Sequence, residues 1–212
     1  MNTKLLTTIS LLALTTICKS NAQSFIIEPD NYTNGAVLDH IFSQVSLTTA
    51  GADNLPIPPV SFNVTASFDG FGYASTGTNV FGHAGVPFWN TDRRLRMDFN
   101  VPANFISIDF IGGEFFTNEV AELDAFNSAG TLLASYISGP RGSDSVETMF
   151  LSRPAGDIAW AVAYLPPGDG VFGRLDNLQF GVVPEPSVVT IIFAGGAALF
   201  GRQRLACKHR KN

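Results

Sequence analysis

The stretch Arg93-Arg-Leu-Arg-Met-Asp-Phe-Asn-Val-Pro-Ala-Asn-Phe-Ile-Ser-Ile-Asp-Phe110 alternates polar and apolar residues twice over. In an extended chain successive side chains point to opposite faces, so Leu95, Met97 and Phe99 share one face while Arg94, Arg96 and Asp98 share the other. Ile106, Ile108 and Phe110 then oppose Ser107 and Asp109. This pattern predicts two half-buried strands.

The same period continues on both sides. Upstream, Ser24–Glu28, Ile41–Leu47 and Val60–Ala66 are predicted strands, with Val60, Phe62 and Val64 on one face. Downstream, Glu119–Phe126 and Thr131–Ile137 flank Asn127-Ser-Ala-Gly130, a hairpin in which Gly130 supplies a left-handed turn position. Val146–Leu151, Ile158–Tyr164 and Phe172–Phe180 bring the expected total to about ten strands, with Ile158, Trp160, Val162 and Tyr164 on one face. Asp69–Asn90 breaks the pattern: its glycines alternate with aromatics, and it is expected to be a long loop or ragged edge strands. No segment in this region has the period of a long amphipathic helix. The expected fold is all-β, an antiparallel β-sandwich with a jelly-roll-like outline.

Both ends of the chain differ from this middle. Residues 1–22 carry Lys4, an apolar stretch from Leu5 to Ile17 and a small-residue site at Ser20-Asn-Ala22, the pattern of a signal peptide cut by signal peptidase before Gln23. The exported domain then runs over 23–181, and residues 182–187 form a Pro-rich linker. Val188–Gly201 is uncharged and would rise about 21 Å as a helix against roughly 30 Å of hydrocarbon, a short transmembrane segment. Residues 202–212 hold Arg202, Arg204, Lys208, Arg210 and Lys211, a cluster that stops transfer and stays on the cytoplasmic side of the membrane.

Val183, Pro184, Glu185, Pro186 and Ser187, with the apolar run and basic cluster behind them, resemble the PEP-CTERM sorting signal of Gram-negative bacteria. The resemblance implies recognition by an exosortase, a membrane cysteine protease, with processing near Pro184–Pro186. It covers about thirty residues and implies a destination: the cell envelope or the exopolysaccharide matrix, reached as an exported protein anchored transiently or permanently by its tail. The middle of the chain also looks like the β-sandwich domains that precede such tails, through Phe25-Ile-Ile-Glu28 and Leu175-Asp-Asn-Leu-Gln-Phe180. In carbohydrate-binding jelly rolls of similar outline an early Glu and a late Asp hold a structural Ca²⁺. The resemblance therefore implies Glu28 and Asp176 as metal ligands, completed by Asp30 or backbone carbonyls; two solvated or Arg-paired acids are the alternative.

Charge and composition narrow the function. Eighteen acidic residues lie between Glu28 and Glu185, opposed there only by Arg93, Arg94, Arg96, Arg141, Arg153 and Arg174. Such a field repels phosphate backbones and excludes nucleic acid as a partner. Cys18 and Cys207 both lie in the terminal segments, so the exported domain has no disulfide. Flat sugars stack on aromatic faces, which makes Tyr73, Phe88 and Trp89 of the Gly-rich stretch candidate ligand contacts, with Asn79, Asn90 or Asp92 as polar partners. The alternative is that these rings fold under the loop into the core.

Only His40 and His83 occur in the exported region, and neither Gly-x-Ser-x-Gly nor His-Glu-x-x-His is present, so Ser- or Zn-dependent hydrolysis has no support. Glu122 and Asp124 resemble part of the Glu-x-Asp-x-x-Glu strand of sandwich glycosidases, but the last position is Asn127. They are expected to be a solvated sheet face, with a secreted glycosidase or polysaccharide lyase as the alternative. The expected protein is a non-catalytic envelope or matrix component, structural or adhesive, with exopolysaccharide as partner.

Overall fold

A computed structural model describes residues 23–58, 62–113, 118–142, 145–167 and 172–182. The segments 1–22 and 183–212 lie outside the described residues, and with them the signal peptide, the Val183–Ser187 motif, the apolar run and the basic cluster. Gln23–Val183 forms one compact unit. Among the described residues no helix is long and apolar enough to cross a membrane.

The described residues contain ten strands and one short 3-10 turn, Pro29–Asn31. The strands are β1 Gln23–Ile27, β2 Val45–Ala50, β3 Val64–Phe68, β4 Asn79–His83, β5 Arg94–Ile111, β6 Glu122–Phe126, β7 Leu132–Ile137, β8 Val146–Ser152, β9 Ile158–Tyr164 and β10 Arg174–Val182. Every pairing is antiparallel. The all-β, sandwich-like class expected from the alternation is the class observed.

The two strands expected within 93–110 are a single strand of eighteen residues, β5. Its first part, Arg94–Phe99, pairs with β2 and β9; its second, Ala103–Ile111, pairs with β10 and β8. Asn100, Val101 and Pro102 between them are exposed. A strand that changes partners at a bend belongs to both layers of a sandwich and makes a corner between them. One layer runs β2-β5-β9-β6-β7, and the other runs β3-β4-β10-β5-β8 with β1 on the free edge of β10. A register shift opposite Ala103–Phe105 moves the inward positions from odd to even numbers, so Leu95 and Met97 enter the same core as Ile106, Ile108 and Phe110.

That core also takes Leu47, Phe81, Leu123, Met149, Ala161, Ala163, Leu175 and Phe180. Each large apolar side chain buried there contributes about 1.5–3 kcal/mol. On β9 the expected common face divides: Ile158 packs in the main core, while Trp160, Val162 and Tyr164 join Phe126 in a second cluster on the outer side of their layer.

Four other expectations shift. β2 starts at Val45 rather than Ile41, and β3 starts at Val64, with Val60 outside the described residues. The Gly-rich Asp69–Asn90 stretch contains a true strand, β4, buried at all five positions because it lies between β3 and β10. Phe172 precedes β10 instead of opening it. The β6–β7 hairpin is as expected, with Gly130 at φ 77° and Asn127 Oδ1 accepting from the Ala129 and Thr131 amides.

Candidate functional site

Between β3 and β4 the chain runs Asp69–Thr78 with glycines at 70, 72 and 77, which give it almost no apolar anchor. Carboxylates hold it instead. Asp69 Oδ2 accepts from the Tyr73 amide at 2.6 Å, and Asp176 Oδ2 accepts from Ser75 N, Ser75 Oγ and Thr76 N at 2.9, 2.9 and 3.2 Å. Asp30 Oδ1 accepts from Thr78 N and Asn79 N at 2.7 and 2.9 Å. Charge-assisted bonds of this kind are about twice as strong as neutral ones, so three carboxylates fix a segment that its own sequence leaves loose.

Beneath the loop lies Arg174, fully buried and ion-paired to Asp69 at 3.0 Å. Its guanidinium sits 5.0 Å from the Tyr73 ring centre and 4.8 Å from that of Phe88, and it donates to the Phe172 carbonyl. Glu119 is buried nearby, accepting from the Phe172 and Gly113 amides. Burial pushes its carboxyl up, opposed by those amide bonds and by the Arg174 charge.

Of the three rings expected to contact a ligand, Trp89 does not qualify. It is wholly buried, donates from Nε1 to the Phe81 carbonyl at 2.7 Å and packs edge-on to His83. A tryptophan beside a buried strand is drawn into the core when its N–H finds a carbonyl there. Phe88 is half-buried between Arg174 and an edge contact with Phe172. Tyr73 is half-buried, and Phe71 lies nearly parallel to it, 16° off with centroids 6.2 Å apart. Phe71 is 59% exposed, and Gly72 between the two has φ 81°. The outward rings are therefore Phe71 and Tyr73. Asn79 is buried and donates to the Tyr32 carbonyl, while Asn90 caps the Asp92 amide in a local turn, so neither serves as the expected polar partner.

The structure brings Glu28, Asp30 and Asp176 to the same loop. Asp176 is fully buried, and burial, then the charge of Glu28, pushes its carboxyl up to about 7 despite bonds from Thr76, Ser75 and Asn177. Glu28 Oε1 and Asp30 Oδ2 are buried with no hydrogen-bond partner. Among the described residues no group of three His, Cys, Asp or Glu side chains is placed to hold a metal ion. The two unpartnered oxygens are carboxylate atoms of the kind a hard cation takes, without a full set of ligands around them. Of the two alternatives left open by the sequence, solvated or Arg-paired acids do not describe Asp176.

Glu122 and Asp124 share the outer face of β6, as expected; Glu122 keeps partial access to solvent, but Asp124 does not. Asp124 is 7% exposed, accepts from Tyr164 Oη at 3.5 Å and leaves Oδ1 unpartnered. Burial pushes Asp124 up, Ser135 opposes this, and the charge and hydrogen bond of Glu122 push further. Glu122 and Asp124 stand two residues apart on one strand, and the position of the third acid in the glycosidase pattern is Asn127.

No family model and no curated protein matches this chain. Solved structures do. The K2 cleaved adhesin domain of Lys-gingipain is 15% identical, with 74% of this chain and 99% of that one covered at a TM-score of 0.47. The C-terminal family 22 carbohydrate binding module of Clostridium thermocellum Xyn10B is 12% identical, with 77% and 94% covered and a TM-score of 0.42. CBM29_1, a family 29 carbohydrate binding module from Piromyces equi, is 5% identical, with 76% and 91% covered and a TM-score of 0.40. At these values the likeness says nothing about what this chain binds.

Proposed function

We propose that the protein is an exported, non-catalytic component of the bacterial envelope or exopolysaccharide matrix, with a jelly-roll-like domain that contacts polysaccharide. Its PEP-CTERM-like segment, Val183–Ser187, is the sorting signal, read by an exosortase after signal peptidase has removed residues 1–22. The observation that carries the ligand half of this reading is the exposed Phe71 ring, nearly parallel to the half-buried Tyr73, on a loop fixed by three carboxylates. Sugar rings pack on aromatic faces, and a platform held rigid before binding loses little entropy when the ligand arrives. Structural Ca²⁺ belongs to the same proposal, held by Glu28 and Asp176 with Asp30. It would neutralise the unpartnered oxygens and secure the loop.

Affinity electrophoresis of the full chain through gels containing neutral polysaccharides tests this. Retardation of the wild type is expected, with a binding constant about tenfold weaker in the Phe71→Ala/Tyr73→Ala double variant. Equal retardation of the two proteins would remove the loop as a contact surface.

A further inference from the structure

The last strand of an open layer presents unpaired N–H and C=O groups, which accept a further strand. Two edges here are closed by the chain itself. Along β3, Ala36 and Leu38 exchange backbone bonds with Ala66 and Val64; along β2, Ile57 donates to the Thr49 carbonyl. β1 is open beyond β10, but it lies at the described ends of the chain, Gln23 and Val182. β7 and β8 are open elsewhere. Among the described residues β7 pairs only with β6, and β8 only with β5. The two edges lie on one side of the sandwich, one in each layer, where Tyr136 Oη of β7 donates to Glu147 Oε1 of β8 at 2.9 Å.

β7 has little that would keep another strand away. Leu132-Leu-Ala-Ser-Tyr-Ile137 contains no charge, Pro or Gly. Its bulge is confined to the start, since Ala134 faces Ala125 and Leu132 already faces Phe126. Alone among the described strands it has no buried position. Leu133, Ala134 and Tyr136 pack against the main core yet stay half-buried, and Leu132 and Ile137 are 52% and 64% exposed. The backbone is also turned outward. Ser138 donates to the Ala121 carbonyl, so alternation along the strand aims the Tyr136 amide at β6 and the Ser135 and Ile137 amides away from it.

Two open edges about 10 Å apart, one per layer, are matched by a second sandwich with the same two edges. Charge permits a like partner on this side although the domain is acidic. β7 is uncharged, and Glu147 on β8 is ion-paired to Arg141. Glu122 lies one strand inward, so two copies joined at β7 hold these carboxylates three strand steps apart, about 14 Å, beyond the screening length of about 8 Å. We propose that β7 pairs antiparallel with β7 of a second copy, about a twofold axis at Ser135 perpendicular to the layers, with the β8 edges brought alongside. The β2-β5-β9-β6-β7 layer then continues through the partner as one sheet. Gln23 and Val182 lie on the far side of β5 from β8, so this pairing leaves the described ends free. The inference does not depend on what the protein binds; if the Phe71–Tyr73 loop holds glycan, the dimer carries two such loops.

The test is the mass of the full chain in mild detergent, read by light scattering over a dilution series with the detergent contribution subtracted. A dimer is expected. Ser135→Pro removes an outward amide, and Ile137→Lys puts a charge on the edge from an exposed side chain. Each is expected to weaken the dimer at least about tenfold while keeping the circular dichroism of the wild type. Leu55→Lys, at a position 61% exposed beside the closed edge of β2, is expected to leave the dimer unchanged. If Ser135→Pro fails to fold, Ile137→Lys decides. A wild type that stays monomeric overturns the proposal. Dimers that persist in the folded edge variants overturn it too, because they form through another surface, and equal weakening by Leu55→Lys would overturn the assignment to β7.

Discussion

Gly77 has φ 52°, and a Cβ there would overlap the Asp30 carboxyl group that holds the Thr78 and Asn79 amides. Gly85 has φ 78° but open space around the same position. Alanine in the left-handed region costs about 1–2 kcal/mol, and displacing a carboxylate from two amides adds about 1–3 kcal/mol. Urea melts should therefore show Gly77→Ala to be clearly less stable than Gly85→Ala. Equal losses would mean that Asp30 does not pin the loop. Ring burial obeys the same logic of distant partners. Composition marks Asp69–Asn90 as glycine-rich and aromatic, yet whether Tyr73 or Trp89 faces outward depends on Arg174 and the Phe81 carbonyl, which no local pattern reveals.

Among the elements, β5 and the loop before β4 carry the organisation. The sequence splits β5 because its apolar positions change parity, and a parity change looks like a strand end. In the fold it is a bulge near Asn104, after a corner at Asn100–Pro102, and the backbone pairs on both sides of it. The loop depends on charge. Asp176, raised from 3.8 to about 7 in the folded chain, binds its proton more tightly there than when unfolded. Its contribution to stability is thus full below pH 3.8 and is lost as pH rises through about 7, the window in which a bound cation would replace the proton. Ca²⁺ is accordingly expected to raise the melting temperature by several degrees at pH 8, reversibly with chelator, and to have little effect near pH 5. Asp30→Ala should abolish the gain. A melt at pH 8 that ignores both Ca²⁺ and chelator would eliminate the cation.

For the whole molecule, β1 and β10 set where the terminal segments attach. Gln23 pairs with Val182, so the start and the end of the described domain lie side by side on one sheet edge. Both proposed processing points then flank neighbouring strands of a folded domain. Intact mass of the protein from its native host, after fractionation, checks the sorting proposal. A C-terminus near Pro184–Ser187 in the medium or matrix is the expected outcome; a chain continuing to Asn212 in the membrane fraction would end the exosortase reading.

Period-two alternation, turn residues and the lack of helical periodicity between the terminal segments pointed to an all-β antiparallel domain, and ten strands lie among the described residues, because side-chain facing in a strand is a local property. Glu28 and Asp176 were singled out only through a resemblance to carbohydrate-binding jelly rolls, and nothing local showed that Asp176 is buried under the Ser75 and Thr76 amides. Local order could not show that β5 serves both layers, that Trp89 is core, that Phe71 pairs with Tyr73, or that Asp124 is buried beside Tyr164 and Ser135. Each of these follows from contacts between residues far apart in the chain. Such contacts exist only once the sheet has folded on itself, and there the energy of burying a ring or a carboxyl is decided by what stands opposite it.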